Sequence, residues 1–259
     1  MARTRAGQQK AAFPEDLLQK ASLAKTAGLR AKYARLGLSQ DGPIDTTTRA
    51  MLLRQLYLAA MERRRFSAAR ELTHQMLELG VITDAVHQDA ARACLGQKDL
   101  DGAIRHLRLA ARLGPPSRRA FHCSMLGALL YLNGRATESL SVLRLASRWS
   151  TTDKAICRAQ LVLAEIEANA YEASIEQRQR ELTELRDELE ISPHRRGYGD
   201  YVLGELCVLL EDFPAAIEYF EDFVTRTTSG RVALEVALQS ELRHAKRHLL
   251  ALTRKRSVK

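Results

Sequence analysis

Gln97-Lys98-Asp99-Leu100-Asp101-Gly102-Ala103-Ile104-Arg105-His106-Leu107-Arg108-Leu109-Ala110-Ala111-Arg112-Leu113-Gly114-Pro115-Pro116 reads as a turn, one amphipathic helix and a hard stop. Its apolar residues, Leu100, Ala103, Ile104, Leu107, Ala110, Ala111 and Leu113, form a stripe at helical spacing. The Gly-Pro-Pro that follows offers neither a helical hydrogen-bond ladder nor helical dihedrals before proline. Such a stripe cannot bury itself. It needs a partner helix, and the rest of the chain decides whether the same pair is supplied repeatedly.

The chain has 259 residues, 46% of them hydrophobic, enough for a large core in one elongated domain or two small ones. Alanine, leucine, arginine and glutamate dominate, and the six prolines stand where helices should begin or end, so an all-α protein is expected. Apolar runs such as Leu126 to Leu132 are too short to cross a bilayer, and Met1 to Lys10 lacks the apolar segment of a secretory signal. A soluble, cytoplasmic protein is the expectation. Cys94, Cys123, Cys157 and Cys207 stand far apart, which suits reduced core residues.

Taken in order, residues 1–12 are small, polar and basic and are expected to be disordered. Residues 13–47 read as an N-terminal helical segment starting at Pro14-Glu15-Asp16, with Gly28 as a candidate break. Asp45 and Thr46 to Thr48 offer caps for the next helix. From there a unit recurs. Each second helix opens on a bulky residue followed three places later by a small one: Phe66 and Ala69, Leu100 and Ala103, Ala136 and Ser139, Tyr171 and Ser174, Phe213 and Ala216. The small residues are 34, 36, 35 and 42 apart, which predicts helical hairpins over 50–83, 84–117, 120–153, 154–192 and 197–230. Residues 231–254 are expected to form one C-terminal capping helix, and 255–259 a basic tail.

Spacing and residue types together resemble the tetratricopeptide repeat over roughly residues 48–230. The second unit carries the resemblance with Ala90-Ala91, Cys94, Leu100, Ala103, Leu107, Ala110 and Pro115; the third with Leu126-Gly127, Leu130, Gly134, Ser139, Leu143 and Ala146; the fifth with Leu203-Gly204, Cys207, Phe213, Ala216 and Phe220. Tyr57 in the first unit stands where the family has a small residue, and the fourth unit is degenerate, with Val162 replacing the glycine. The resemblance implies a right-handed α-solenoid of about five hairpins. In it Gly127 or Gly204 would face Ser139 or Ala216 at the helix crossing, where a larger residue would overpack.

The second helix of the fourth unit runs on to about Glu190 and carries Ile175, Leu182, Leu185 and Leu189 at near-heptad spacing among acids. This stripe is either a seam for a partner or second copy, leaving self-association open, or a long internal helix with a solvated face.

No Walker loop, Gly-x-Gly-x-x-Gly or nucleophile elbow occurs. His244 and His248 are spaced i,i+4, but the sequence shows no third ligand, so no metal or cofactor is expected and no enzyme activity. The resemblance instead implies a scaffold or adaptor whose first helices line a concave groove. Counting by its frame puts Arg54, Leu58, Gln88, Arg92, Phe121, Tyr131, Tyr198, Tyr201 and Glu205 there. Aromatics and arginine anchor interfaces, so the expected partner is a peptide or helical segment of another protein, acidic segments included. Chaperone-binding members of the family grip a terminal carboxylate with a Lys-Asn-Asn-Lys-Arg set, of which only Arg54 has a counterpart.

Charge supplies the alternative. The formal net charge is +9, with eight Lys/Arg against two acids in residues 1–40 and seven against none in residues 242–259. Residues 160–192 hold nine acids against three arginines. Basic ends could bind nucleic acid or an anionic surface, but no nucleic-acid-binding motif accompanies them.

Overall fold

The computed structural model describes residues 13–193 and 195–257. The expected disorder of 1–12 and the side chains of the basic tail at 255–259 lie outside the described residues. The chain divides into two compact units, one ending at Val81 and one beginning at Ile82. The first contains α1 (Pro14–Ser22), α2 (Ala27–Leu38), α3 (Thr46–Glu62) and α4 (Phe66–Glu78). The second contains α5 (Thr83–Gly96), α6 (Leu100–Leu113), α7 (Pro116–Leu132), α8 (Ala136–Trp149), α9 (Lys154–Glu167), α10 (Ile175–Glu190), α11 (Asp200–Leu209), α12 (Phe213–Ser229), α13 (Val232–Ala237) and α14 (Gln239–Ser257). Among the described residues there is no strand, and no helix is long and apolar enough to cross a membrane. Helices pack mainly on their sequence neighbours, as in a helical repeat.

Local chemistry fixes the helix ends. The Asp45 carboxylate accepts from the Thr48 amide at 2.9 Å and Asp99 from Gly102 at 2.8 Å, while Ser174 and Gln177 form a reciprocal capping box. Gly-Pro-Pro ends α6 and starts α7, because Gly114 is extended and Pro116 takes the first helical position, where no amide hydrogen is needed.

All five hairpins turn in the same way. Arg64, Lys98, Gly134, Asn169 and Glu211 have positive φ, between 51° and 76°, and stand at the same 34, 36, 35 and 42 spacing as the repeat. The next amide in each case donates five residues back, Arg65 to Ala60, Asp99 to Cys94, Arg135 to Leu130, Ala170 to Glu165 and Asp212 to Cys207, at 2.8–3.0 Å. This is the Schellman closure, which meets carbonyls the helix leaves unpaired and needs a left-handed residue.

At the helix crossings the facing residue lies one turn further on than the sequence frame suggests. A Cβ on Gly127 would fall 2.3 Å from Leu143, and one on Gly204 would fall 2.6 Å from Phe220, not against Ser139 or Ala216. Side chains project back along a helix, so the bulk at a crossing comes from a residue C-terminal to it. The first hairpin reverses the sizes. Tyr57 occupies the small position and Thr73 the large one, and both are buried.

Three sequence expectations are corrected. The break in the N-terminal segment falls at residues 23–26, with Thr26 capping α2, and Gly28 lies inside that helix. Tyr171 and Ser174 do not open α10; the turn at Asn169 keeps register, but the helix starts only at Ile175. Leu182, Leu185 and Leu189 are then buried in the core with α9, α11 and α12, so the near-heptad stripe is used within the chain. Residues 231–254 are two helices, separated at Leu238, and they do not simply cap the last hairpin. Instead α13 packs on α5, with α14 on α7, α11 and α12. Gln239 Nε2 donates to the Leu95 carbonyl at 3.1 Å and Asn133 Nδ2 to Ser240 Oγ at 3.3 Å.

Lys98→Gly is expected to raise stability by about 1 kcal/mol, since only glycine adopts the left-handed turn without Cβ strain. Gly134→Ala should lose a similar amount. Gly204→Ala should cost about 1–3 kcal/mol by overpacking and recover when combined with Phe220→Leu. Urea denaturation of the four variants against the parent chain measures all three effects.

Candidate functional site

The helices α5, α7 and α9, with α13 and the start of α14, line a cavity of about 850 Å³ in the second unit. Its walls are largely apolar: Leu95, Phe121, Met125, Trp149, Ile156 and Leu234 contribute. Phe121, Trp149 and Leu234 stay 39–47% exposed although each has large apolar area to hide.

Two buried carboxylates hold the walls. Asp84, at the start of α5, binds Arg118 at 2.8 Å and His122 Nε2 at 3.0 Å, both on α7. Burial pushes the His122 imidazole down and the Asp84 carboxylate opposes that push. Asp200, at the start of α11, accepts from the Gly197 amide at 2.7 Å, with Arg195 and Arg226 at 3.6 and 3.7 Å. Gly197 has φ +91°, a left-handed conformation that lets the segment turn sharply and bring Tyr198 over the cavity.

A hydrogen-bonded chain crosses the wall. Ser124 Oγ donates to Gln160 Oε1 at 2.7 Å, and Gln160 Nε2 donates to the Tyr198 hydroxyl at 2.7 Å. The Tyr198 hydroxyl therefore keeps its proton for donation, and burial holds its pKa well above the usual phenol value. Gln88 Nε2 meets Met125 Sδ at 3.1 Å and Arg92 pairs with Asp89 at 3.0 Å.

The residues singled out from sequence thus separate into three groups. Gln88, Arg92, Phe121 and Tyr198 line the one cavity. Tyr131 and Tyr201 lie deeper; Tyr201 is buried against Phe220 and Phe223, and Glu205 is buried facing His244 and His248. Arg54 and Leu58 are half-buried on α3 of the first unit. Frame counting exposes Tyr201 and Glu205 because it leaves that face of α11 free, whereas α14 packs on it. Sequence reasoning did not anticipate Trp149, Gln160 or Glu241 as cavity residues. Trp149 ends α8, a second helix of a hairpin, and Glu241 comes from the returning C-terminal segment, so neither is on the face that the frame selects. The four cysteines are buried and unbridged, and burial pushes the Cys207 thiol up to about 12.

Glu241 is 5% exposed, and burial raises its carboxyl from 4.5 to about 7, against its own backbone amide, His244 and Arg243. Between those values the folded chain holds more protons than the unfolded one, so this group makes stability fall as pH rises from about 4.5 to 7. Glu241→Gln is expected to be the more stable protein at pH 8, by up to about 3 kcal/mol at 1.36 kcal/mol per pKa unit. The advantage should shrink through pH 7–5. Guanidinium denaturation of both proteins at pH 5 and pH 8 checks the sign.

In comparisons with known proteins, no family model matches this chain and no curated protein matches it.

Proposed function

We propose that this protein is a non-catalytic binding module, a right-handed helical-repeat scaffold of the tetratricopeptide type that takes a short segment of a partner protein into the cavity of its second unit. The observation that carries the reading is the cavity itself: about 850 Å³, apolar-walled, with Gln88, Arg92, Phe121 and Tyr198 on one surface. Its size lies within the roughly 300–1,000 Å³ of ligand pockets. A helix is about 10–12 Å across with its side chains, so two turns would already fill about 1,000 Å³. A few extended residues fit better than a helix. Apolar side chains would cover Phe121 and Trp149, and the Tyr198 hydroxyl would donate to a carbonyl or carboxylate. Arg92, Arg119 and Arg226 on the wall favour an acidic group in the bound segment.

Trp149 is the single tryptophan of the chain and stands in this wall, so its emission reports occupancy directly. A library of short peptides carrying apolar residues and one acid should contain members that change Trp149 emission saturably. Phe121→Ala should weaken them about tenfold or more, as loss of a central aromatic anchor does. Ala237→Phe, which narrows the cavity at its α13 wall, should weaken the response strongly while the melting temperature holds. A library without any responding member, or full binding by Ala237→Phe, overturns the reading.

A further inference from the structure

Beyond the cavity, the second unit gathers three ligand-type side chains that the sequence keeps apart. His244 and His248 stand one turn apart on α14, and packing of α14 on α11 sets Glu205 beside them. Glu205 Oε1 lies 3.1 Å from His244 Nδ1 and 3.8 Å from His248 Nε2, and the ligand atoms of all three fall within 4.8 Å of one another. The Glu205 side chain is only 7% exposed, and this oxygen is buried without a hydrogen bond. A buried carboxylate oxygen without a hydrogen-bond donor is costly unless a cation meets it.

We propose that Glu205, His244 and His248 form a binding site for a divalent transition metal, with zinc the favoured ion. Two imidazole nitrogens and one carboxylate oxygen, without thiolate, suit zinc and its first-row neighbours better than calcium or magnesium, which prefer all-oxygen sets. Bond lengths of about 2.0–2.2 Å to zinc put tetrahedral ligand atoms about 3.3–3.5 Å apart, and the two measured separations bracket that range. Neutral imidazole is the form that offers a nitrogen lone pair to a metal. Phe220 stacks on His248 at 5.3 Å, which orients that ring from α12. The Tyr201 hydroxyl lies 3.0 Å from His244 Nδ1, and bound metal would take that nitrogen's lone pair in its place. The histidines are 22% and 27% exposed, which leaves the fourth position to water. Bound metal would cross-link α14 to α11.

The test is calorimetric titration of chelator-treated full-length protein with zinc chloride, together with cobalt(II) titration followed by visible absorption. Native protein should bind one equivalent and give the intense ligand-field bands of a low-coordinate cobalt site. Glu205→Gln and His248→Gln should each lose more than the roughly 10–100-fold that removing a mere outer-shell partner costs. His106→Ala, which dismantles the other close histidine pair (His87 Nδ1 to His106 Nδ1, 3.0 Å), should bind as native does. Circular dichroism of the metal-free variants verifies folding, and if one substitution unfolds the chain the other is read. Failure of native protein to bind either ion, binding unaltered in both variants, or binding lost with His106→Ala overturns the proposal.

Discussion

Two helices of a hairpin can approach closely only if one of them gives up volume at the crossing. Gly204 against Phe220 and Gly127 against Leu143 satisfy that condition in one sense, and Tyr57 with Thr73 in the other. The crossing is thus met by different pairings of size in different hairpins, and the identity of neither member is fixed. The turn is the second fixed element. Its Schellman closure requires a left-handed residue whatever side chain the sequence supplies, and four of the five hairpins accept the strain of a non-glycine there.

From these local rules the cavity follows by way of two buried acids. Asp84 ties α5 to α7, and Asp200 folds the 195–199 segment back so that Tyr198 reaches Gln160. Both carboxylates sit at helix N-termini, where the backbone dipole and free amides favour negative charge, so their burial is partly compensated before any arginine arrives. The wall is accordingly tied together between α5 and α7, and α13 lines it from the C-terminal segment.

The helical class, the hairpin period and most core positions were legible in the sequence because each is a local property: a stripe, a small residue, a proline stop. Tyr57 was legible as an exception but not as a volume exchange, since Thr73 gains meaning only once the crossing is known. Repeat register fixes which face of a first helix Gln88, Arg92, Phe121 and Tyr198 occupy, and the structure brings those four to one cavity. What periodicity could not disclose was the path of the last segment. Residues 231–254 read as an amphipathic cap, and nothing in their spacing specifies a return to α5. That return buries Tyr201 and Glu205, recruits Glu241 to the cavity and gives His244 and His248 their third neighbour.

The hydrogen bond from Gln239 to Leu95 spans 144 residues of sequence. Hairpins that touch only their neighbours fold from local contacts and add stability stepwise along the chain. Here α13 and α14 pack back on α5 and α7, so those contacts wait until both have left the ribosome, and the loop-closure entropy of that long span is met late. Until then the face of α5 that receives α13 is bare, and a nascent chain carries an apolar, half-built cavity open to other proteins during synthesis.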